Sequence, residues 1–497
     1  MLENKNTACD IRFHYKDSSM PLYKRRAHFL FFSVGATLFL SGCVPKALEE
    51  PAMQSITLNH KEIAAETHTP LMRQAHSNVW WKAVDDAPLQ SLIDHSLSDA
   101  PTLASMRARI AQAYAQYDIS STQTEPSLNL IGSADTNHPS KNDLISPPLV
   151  PNSYETGRLG VQLTYDLDLW DKLSEQLKAQ LGSIKAQEAA YEARVVALSI
   201  ALSTEYYRYG YTLEKIVILN QEKELLTTLS SLANERYLAG LDDKSAWLNA
   251  QSRLNEIERY HSQMSAQLIA AEKALGNLSG LSSEALQPYL PHAFIYSRHF
   301  DTTPSIMLDA LAQKPEIRAK KEMVEATSSQ INVAKAGFYP NINLSALSNF
   351  ASLGLSNLLR TDSITSMAQA SISLPIFDRK ALEGAYKASQ NAHEAAIYDY
   401  NDAVITSANA LLSALKNFTT VLHQNSLSQE DMKTKEYLLA LAVQKFDEGI
   451  SDKRLVLQKQ WDVLEAKRTI LETQFVQINA YIDIMHALGG QMVEGKE

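Results

Sequence analysis

The hydrophobic and polar positions of the chain follow two rhythms. Between Arg158 and Leu169, six apolar residues (Leu159, Val161, Leu163, Tyr165, Leu167 and Leu169) alternate with Gly160, Gln162, Thr164, Asp166 and Asp168. A period of two predicts a strand with one apolar and one polar face. The same alternation predicts strands over Ser127–Asn137, Asn341–Phe350 and Gln369–Ile376. Each is about ten residues, the length of a tilted strand that crosses a bilayer. The second rhythm begins at Asp171, after which no proline occurs until Pro288. Leu177, Ile184, Tyr191 and Leu198 fall seven apart, and Leu181, Val195, Leu202, Tyr209 and Ile216 interleave with them. Val404, Ala408, Leu411, Leu415, Phe418 and Leu422 repeat the pattern in steps of four and three. Such steps make a coiled-coil seam. The span from Asp171 to Tyr237 predicts about 67 helical residues, roughly 100 Å long.

The two rhythms occur twice. Ala100-Pro101-Thr102-Leu103 answers Lys314-Pro315-Glu316-Ile317, and Pro126 and Pro340 follow at equal distance. Leu128-Asn129-Leu130 matches Ile342-Asn343-Leu344, and Leu169-Trp170-Asp171 matches Ile376-Phe377-Asp378. Arg236-Tyr237-Leu238-Ala239-Gly240-Leu241 answers Lys445-Phe446-Asp447-Glu448-Gly449-Ile450, and Ala274-Leu275-Gly276 answers Ala487-Leu488-Gly489. Six landmarks in one order indicate an internal duplication. Each copy reads helix, strand, loop, strand, long helix, turn, long helix. Residues 79–280 form the first repeat, 281–314 a linker, 315–490 the second repeat and 491–497 a tail.

Charge and cysteines narrow the class. A net charge of -10 leaves no basic footprint for nucleic acid. Lys24, Arg25 and Arg26 precede the apolar run Phe29–Leu40, which has the form of a secretory signal over residues 1–42. The run ends in Leu40-Ser41-Gly42-Cys43, which resembles a bacterial lipobox. That resemblance implies cleavage before Cys43 and a diacylglycerol plus a fatty acyl chain on its sulfur and amine. Residues 43–78 then form a lipidated linker. Cys9 is lost with the signal, no free thiol remains, and Met20 is the expected translation start. Val44 in place of aspartate implies delivery to the outer membrane.

Strands in hydrocarbon must have every backbone group paired, so their sheet must close. Four strands are too few, because the smallest membrane barrels have eight. Three chains pooling four strands each give twelve, and the same symmetry gathers the long helices into a second tube on one axis.

Trp80-Trp81-Lys82 with Leu89, Leu92 and Ile93, Asp168-Leu169-Trp170-Asp171, Tyr237-Leu238-Ala239-Gly240, Leu248-Asn249-Ala250-Gln251 and Ala487-Leu488-Gly489-Gly490 stand in order along the chain. Together they resemble the TolC-like outer-membrane efflux channels, in the NodT-type lipoprotein branch, from about Val79 to Gly490. The resemblance implies a mainly α fold with transmembrane β: a homotrimer with a twelve-stranded β-barrel continuous with a long α-helical periplasmic barrel. Residues 79–100, the linker and the C-terminal region would form an equatorial belt. The implied function is a passive exit duct of a tripartite efflux system for drugs, other small toxic compounds or metals. Its partners would be a periplasmic adaptor and an inner-membrane pump of the resistance-nodulation-division type. It would lie lipid-anchored in the outer membrane and reach into the periplasm. Two alternatives stay open: the duct of a type I protein exporter, and a coiled-coil lipoprotein without a pore.

The site residues follow from the duplication and the resemblance. Gly240 and Gly449 suit helix C-caps. The resemblance adds a periplasmic tip for adaptor contact, with Tyr237, Leu241, Phe446 and Ile450 beside them. Capping alone would account for Asp242 and Asp452, and the helix dipole favours acids there, Asp243 included. The functional alternative is a gate in which Arg236, Lys453 or Arg454 pairs with acids on neighbouring helices, with Lys244 nearby. The family's aspartate in Leu-Asp-Ala-Gln is replaced here in Leu457-Gln458-Lys459-Gln460, so no acidic ring is expected at Gln458. Gln162, Thr164, Asp166 and Asp168 would line the barrel lumen. No catalytic motif accompanies these carboxylates. His393-Glu394 lacks the second histidine of a zinc site, and neither an enzyme activity nor a cofactor is expected.

Overall fold

The computed structural model describes residues 79–140, 142, 151–301 and 310–491. Cys43, the signal segment and the tail beyond Gln491 lie outside the described residues. The first repeat comprises α1 (Ala87–Asp99), α2 (Pro101–Ser121), β1 (Ser127–Asn137), β2 (Tyr154–Leu167), α3 (Lys172–Leu238) and α4 (Lys244–Ser279). Two single-turn helices, α5 (Ser283–Leu286) and α6 (Ala310–Gln313), occupy the linker. The second repeat comprises α7 (Pro315–Ala336), β3 (Asn341–Leu353), β4 (Ile364–Ser373), α8 (Arg379–Asp447) and α9 (Lys453–Ala487).

The repeats start alike. Pro101 and Pro315 each open a helix at the first position, after Ala100 and Lys314 in similar extended conformations. Proline suits that place because its missing N–H would have no partner there. The 67 residues of α3 and 69 of α8 make helices of roughly 100 Å. Of the expected seam positions, Ile184, Leu198, Leu202, Val404, Leu411, Leu415 and Phe418 are buried, and the others, such as Leu177, Tyr191 and Tyr209, are half-buried. Gly182 lets α3 approach the Ala326 backbone of α7.

The strands form one antiparallel sheet in the order β1-β2-β3-β4. Three strands differ in extent from those the alternation predicts: β3 continues to Leu353 rather than stopping at Phe350. β2 runs from Tyr154 to Leu167 rather than from Arg158 to Leu169, and β4 from Ile364 to Ser373 rather than from Gln369 to Ile376. Pro375, which has no N–H to give a ladder, lies just past the end of β4. The register puts Leu128, Leu163, Ala346 and Ala368 in one row, and Ser127, Thr164, Ser345 and Gln369 in the next. One face is therefore mainly apolar and the other mainly polar. β1 and β4 are the free edges.

Between sheet and helix tips lies the largest core. Trp80 and Trp81 meet Leu89, Leu92 and Ile93 of α1, Tyr206 and Tyr207 of α3, Phe300 of the linker, Phe418 of α8, and Tyr481 of α9. Trp80 donates to Ser199, and Tyr206 donates to Asp86, which caps α1. Phe300 packs edge-on to Tyr207 and Tyr481 at 5.7 and 5.3 Å. Gln477, fully buried, bridges the Phe300 carbonyl and Asn425 at 2.7 Å each. Residues from 79–100, the linker and the C-terminal helix thus share one belt around the helices.

Two substitutions test this packing. A Cβ at Gly160 would overlap the Cα and Cβ of Asn349 opposite it on β3. Gly160→Val should therefore abolish the heat-modifiable folded form on gels, whereas a valine at exposed Gly384, with open space around it, should leave that form intact. Trp80→Ala removes a ring that is 1% exposed and should cost about 3–5 kcal/mol, read as a lowered thermal transition in circular dichroism.

Candidate channel tip and strand–helix junction

The tip is built from two copies of one turn. α3 ends with the Gly240 N–H on the Tyr237 carbonyl at 3.0 Å and the Leu241 N–H on the Arg236 carbonyl at 2.9 Å. α8 ends with Gly449 on Phe446 at 3.0 Å and Ile450 on Lys445 at 2.8 Å. This pair of bonds closes a helix through a left-handed residue. Gly240 and Gly449 supply it, at φ 70° and 72°. Asp243, rather than the expected Asp242, caps α4, and Asp452 caps α9, by accepting the Ser245 and Arg454 N–H groups at 2.8 and 3.0 Å. Asp243 also accepts the Ser245 hydroxyl. Leu241 and Ile450 project as exposed apolar residues, while Tyr237 and Phe446 are only about two-fifths exposed.

The two turns meet through an ionic clasp. Asp242 accepts from Arg236 at 2.6 Å within its own hairpin and from Arg454 of the other hairpin at 3.1 Å. Arg454 also reaches Asp452 at 2.6 Å. The Arg236 hydrogen bond, aided by the charge of Arg454, holds the Asp242 carboxyl below the ordinary aspartate range. Asp452 is lowered chiefly by its bond from Arg454. Of the other charges, Lys244 lies over the Trp247 ring at 5.5 Å. Lys453 lines a separate cleft with Leu439, Leu457 and Gln460 among others.

Behind the clasp is a cleft of about 560 Å³, lined by Leu226, Arg253, Arg454, Gln458, Trp461 and Glu465 among others. Farther along, fully buried Glu222 of α3 meets Arg468 of α9 at 3.3 Å. Burial pushes the Glu222 carboxyl up, and Arg468 opposes that shift. Sequence reasoning did not find the Asp242–Arg454 and Glu222–Arg468 pairs. Their partners lie 212 and 246 residues apart, in different repeats, so no local spacing marks them.

At the other end of α3 the strand turns into the helix within four residues. Asp166 stays on the strand and accepts from Asn343 at 2.8 Å. Thr164 bonds Ser127 across the sheet, and Gln162 lies opposite Asn129. Asp168 departs from the expected strand position. It lies beyond β2 and accepts the Leu173 and Ser174 N–H groups at 2.9 and 2.8 Å. These bonds pull its carboxyl below the usual range despite partial burial. Asp171 takes the left-handed conformation at φ 56°. Trp170 stacks on Tyr339 with ring centres 4.7 Å apart and donates to the Pro340 carbonyl at 2.9 Å.

Among the described residues no helix is long and apolar enough to cross a membrane. The pattern of the outer membrane efflux protein family matches residues 92–281 and 307–490. The multidrug resistance outer membrane protein MdtQ of Escherichia coli O157:H7 is 25% identical over 472 residues, covering 91% of this chain and 96% of MdtQ. The CmeC outer membrane channel of Campylobacter jejuni superposes with a TM-score of 0.77 at 20% identity, covering 92% of this chain and 96% of CmeC. The outer membrane protein VceC of Vibrio cholerae gives 0.73 at 21% identity, covering 84% and 99%. With both repeats matched and the strand–helix architecture shared, the chain belongs to the outer membrane efflux protein family and has the TolC-like fold.

Proposed function

We propose that this outer-membrane efflux protein is one third of a homotrimeric duct that carries drugs or other small toxic compounds out of the cell. The observation that carries the reading is a four-stranded sheet with two unpaired edges, continuous with helices of 67 and 69 residues. Such a sheet satisfies its edges in a bilayer only by joining others, and three copies make a twelve-stranded barrel. The polar face bearing Gln162, Thr164 and Asp166 would then line a watery lumen, and the apolar face would meet lipid. An acylated Cys43 would add a lipid anchor. The name of MdtQ supports drugs as the cargo.

The tip is the proposed gate and adaptor contact. Gly240, Leu241, Gly449 and Ile450 present short, exposed, duplicated turns to a periplasmic adaptor, which couples the duct to an inner-membrane pump of the resistance-nodulation-division type. The clasp holds the two hairpins of each chain together. A half-exposed ion pair is weak by itself, so the clasp is suited to be exchanged for adaptor contacts. The duct needs no reacting group: the pump supplies the energy, and this chain supplies the path.

Reconstituted in planar bilayers, the protein should give a small conductance. Asp242→Ala combined with Arg454→Ala should raise it several-fold, and an unchanged conductance would remove the clasp from the gate. The pH dependence has a defined sign. A carboxylate with a depressed pKa keeps its contribution above the unfolded value and loses it as pH falls through the folded one. Conductance should therefore stay flat from neutral pH to about 4 and rise only below that. Deleting the gene should sensitise cells to several unrelated drugs; a defect confined to one secreted protein would favour the protein-export alternative.

A further inference from the structure

The chain contains one seam between its two repeats, and that seam indicates how one copy meets the next. Within the chain, β2 of the first repeat pairs with β3 of the second, Leu167 opposite Ile342 and Tyr165 opposite Leu344. The seam is anchored where Trp170 stacks on Tyr339 and bonds the Pro340 carbonyl. In the second repeat Phe377 holds the place of Trp170, and in the first repeat Pro126 holds the place of Pro340. Yet β4 and β1 lie at opposite ends of the sheet, and Phe377 is 97% exposed. Ile372, Leu128 and Leu130 are 72%, 68% and 77% exposed. The flanking helices show the same lack: α7 buries six residues and its counterpart α2 buries Leu103 alone.

We propose, resting on the trimeric reading above, that the seam between copies reproduces the seam between repeats. β4 pairs antiparallel with β1 of the next copy, Ile372 opposite its Leu130 and Leu374 opposite its Leu128, and Phe377 seats on its Pro126. Facing alone does not fix this register. A slip of two keeps every side chain on its own side, and the two hairpins do differ by such a slip: Leu128 faces Leu163, whereas its counterpart Ile342 faces Ile372 rather than Ala370. The junction fixes it, because the turn holding Phe377 and the proline opening β1 must meet as Trp170 and Pro340 do. The contact differs in kind from its model. The Phe377 ring carries no N–H, and Glu125 stands where Tyr339 does, so the seat is an apolar contact with the proline ring.

Paired cysteines in the full-length protein read the register. Directly opposed residues lie about 4.5–5.5 Å apart at Cα, within disulfide reach, while a neighbour two residues along lies about 7–8 Å away. Ile372→Cys with Leu130→Cys should oxidise to a covalent trimer on denaturing gels. Ile372→Cys with Leu128→Cys or with Gly132→Cys should cross-link several-fold less. Preferential cross-linking of either slipped pair, or none from any pair while trimers persist by mass in detergent, overturns the register and leaves the trimer standing. Monomers by mass for the unaltered protein would overturn the trimeric reading itself and this seam with it. Phe377→Ser should lower the temperature at which the trimer dissociates and Phe377→Trp should not; equal midpoints for both would remove the seat.

Discussion

A strand edge in hydrocarbon has nowhere to place its N–H and C=O groups, and this chain has two such edges. β1 and β4 each pair on one side only. The requirement acts on the sheet, but it reaches the rest of the molecule because α3 and α8 follow the strands without a linker. Asp168 and Asp171 turn β2 into α3 within four residues, which leaves little slack between barrel and helices. Any arrangement that closes the sheet also positions two long helices per chain around the same axis.

The belt turns that positioning into rigidity. A helix of roughly 100 Å packed only along a seam would splay. Here Trp80, Trp81, Phe300 and Tyr481 wrap α3, α8 and α9 partway along their length, and Gln477 bonds the linker to two of those helices. Below the belt the hairpins depend on thinner contacts: a small cluster around Leu219, Leu226, Ile257 and Met264, the buried Glu222–Arg468 pair, and the clasp. Stability is concentrated at the belt and thins toward the tip, as suits a region that must yield.

Much of this was legible in the sequence because it is periodic and stated twice. The strands, the 67-residue helix, the glycine turns and the belt segments all follow from spacing, from prolines at helix starts, or from the resemblance. What escaped was of two kinds. Asp168 continues the polar positions of β2, so alternation alone could not separate a strand carboxylate from one that caps the next helix; both call for an acid at that place. Asp242 with Arg454, and Trp170 with Tyr339, join residues from different repeats. No local pattern marks such pairs, and a charge near a helix start has capping as a sufficient reason to exist. Of the charges expected at the tip, the structure joins Arg236, Asp242, Arg454 and Asp452, and which of them meet depends on how the two hairpins lie side by side.

The clasp breaks the symmetry that the rest of the chain keeps. Ser451 stands where Asp242 does in the first turn, and Ser245 where Arg454 does. In a ring of three, the boundary between neighbouring chains therefore lacks the arginine–aspartate tie that joins the hairpins within each chain. Stiff and compliant contacts would alternate around the mouth, so that it parts as three jaws rather than six separate fingers.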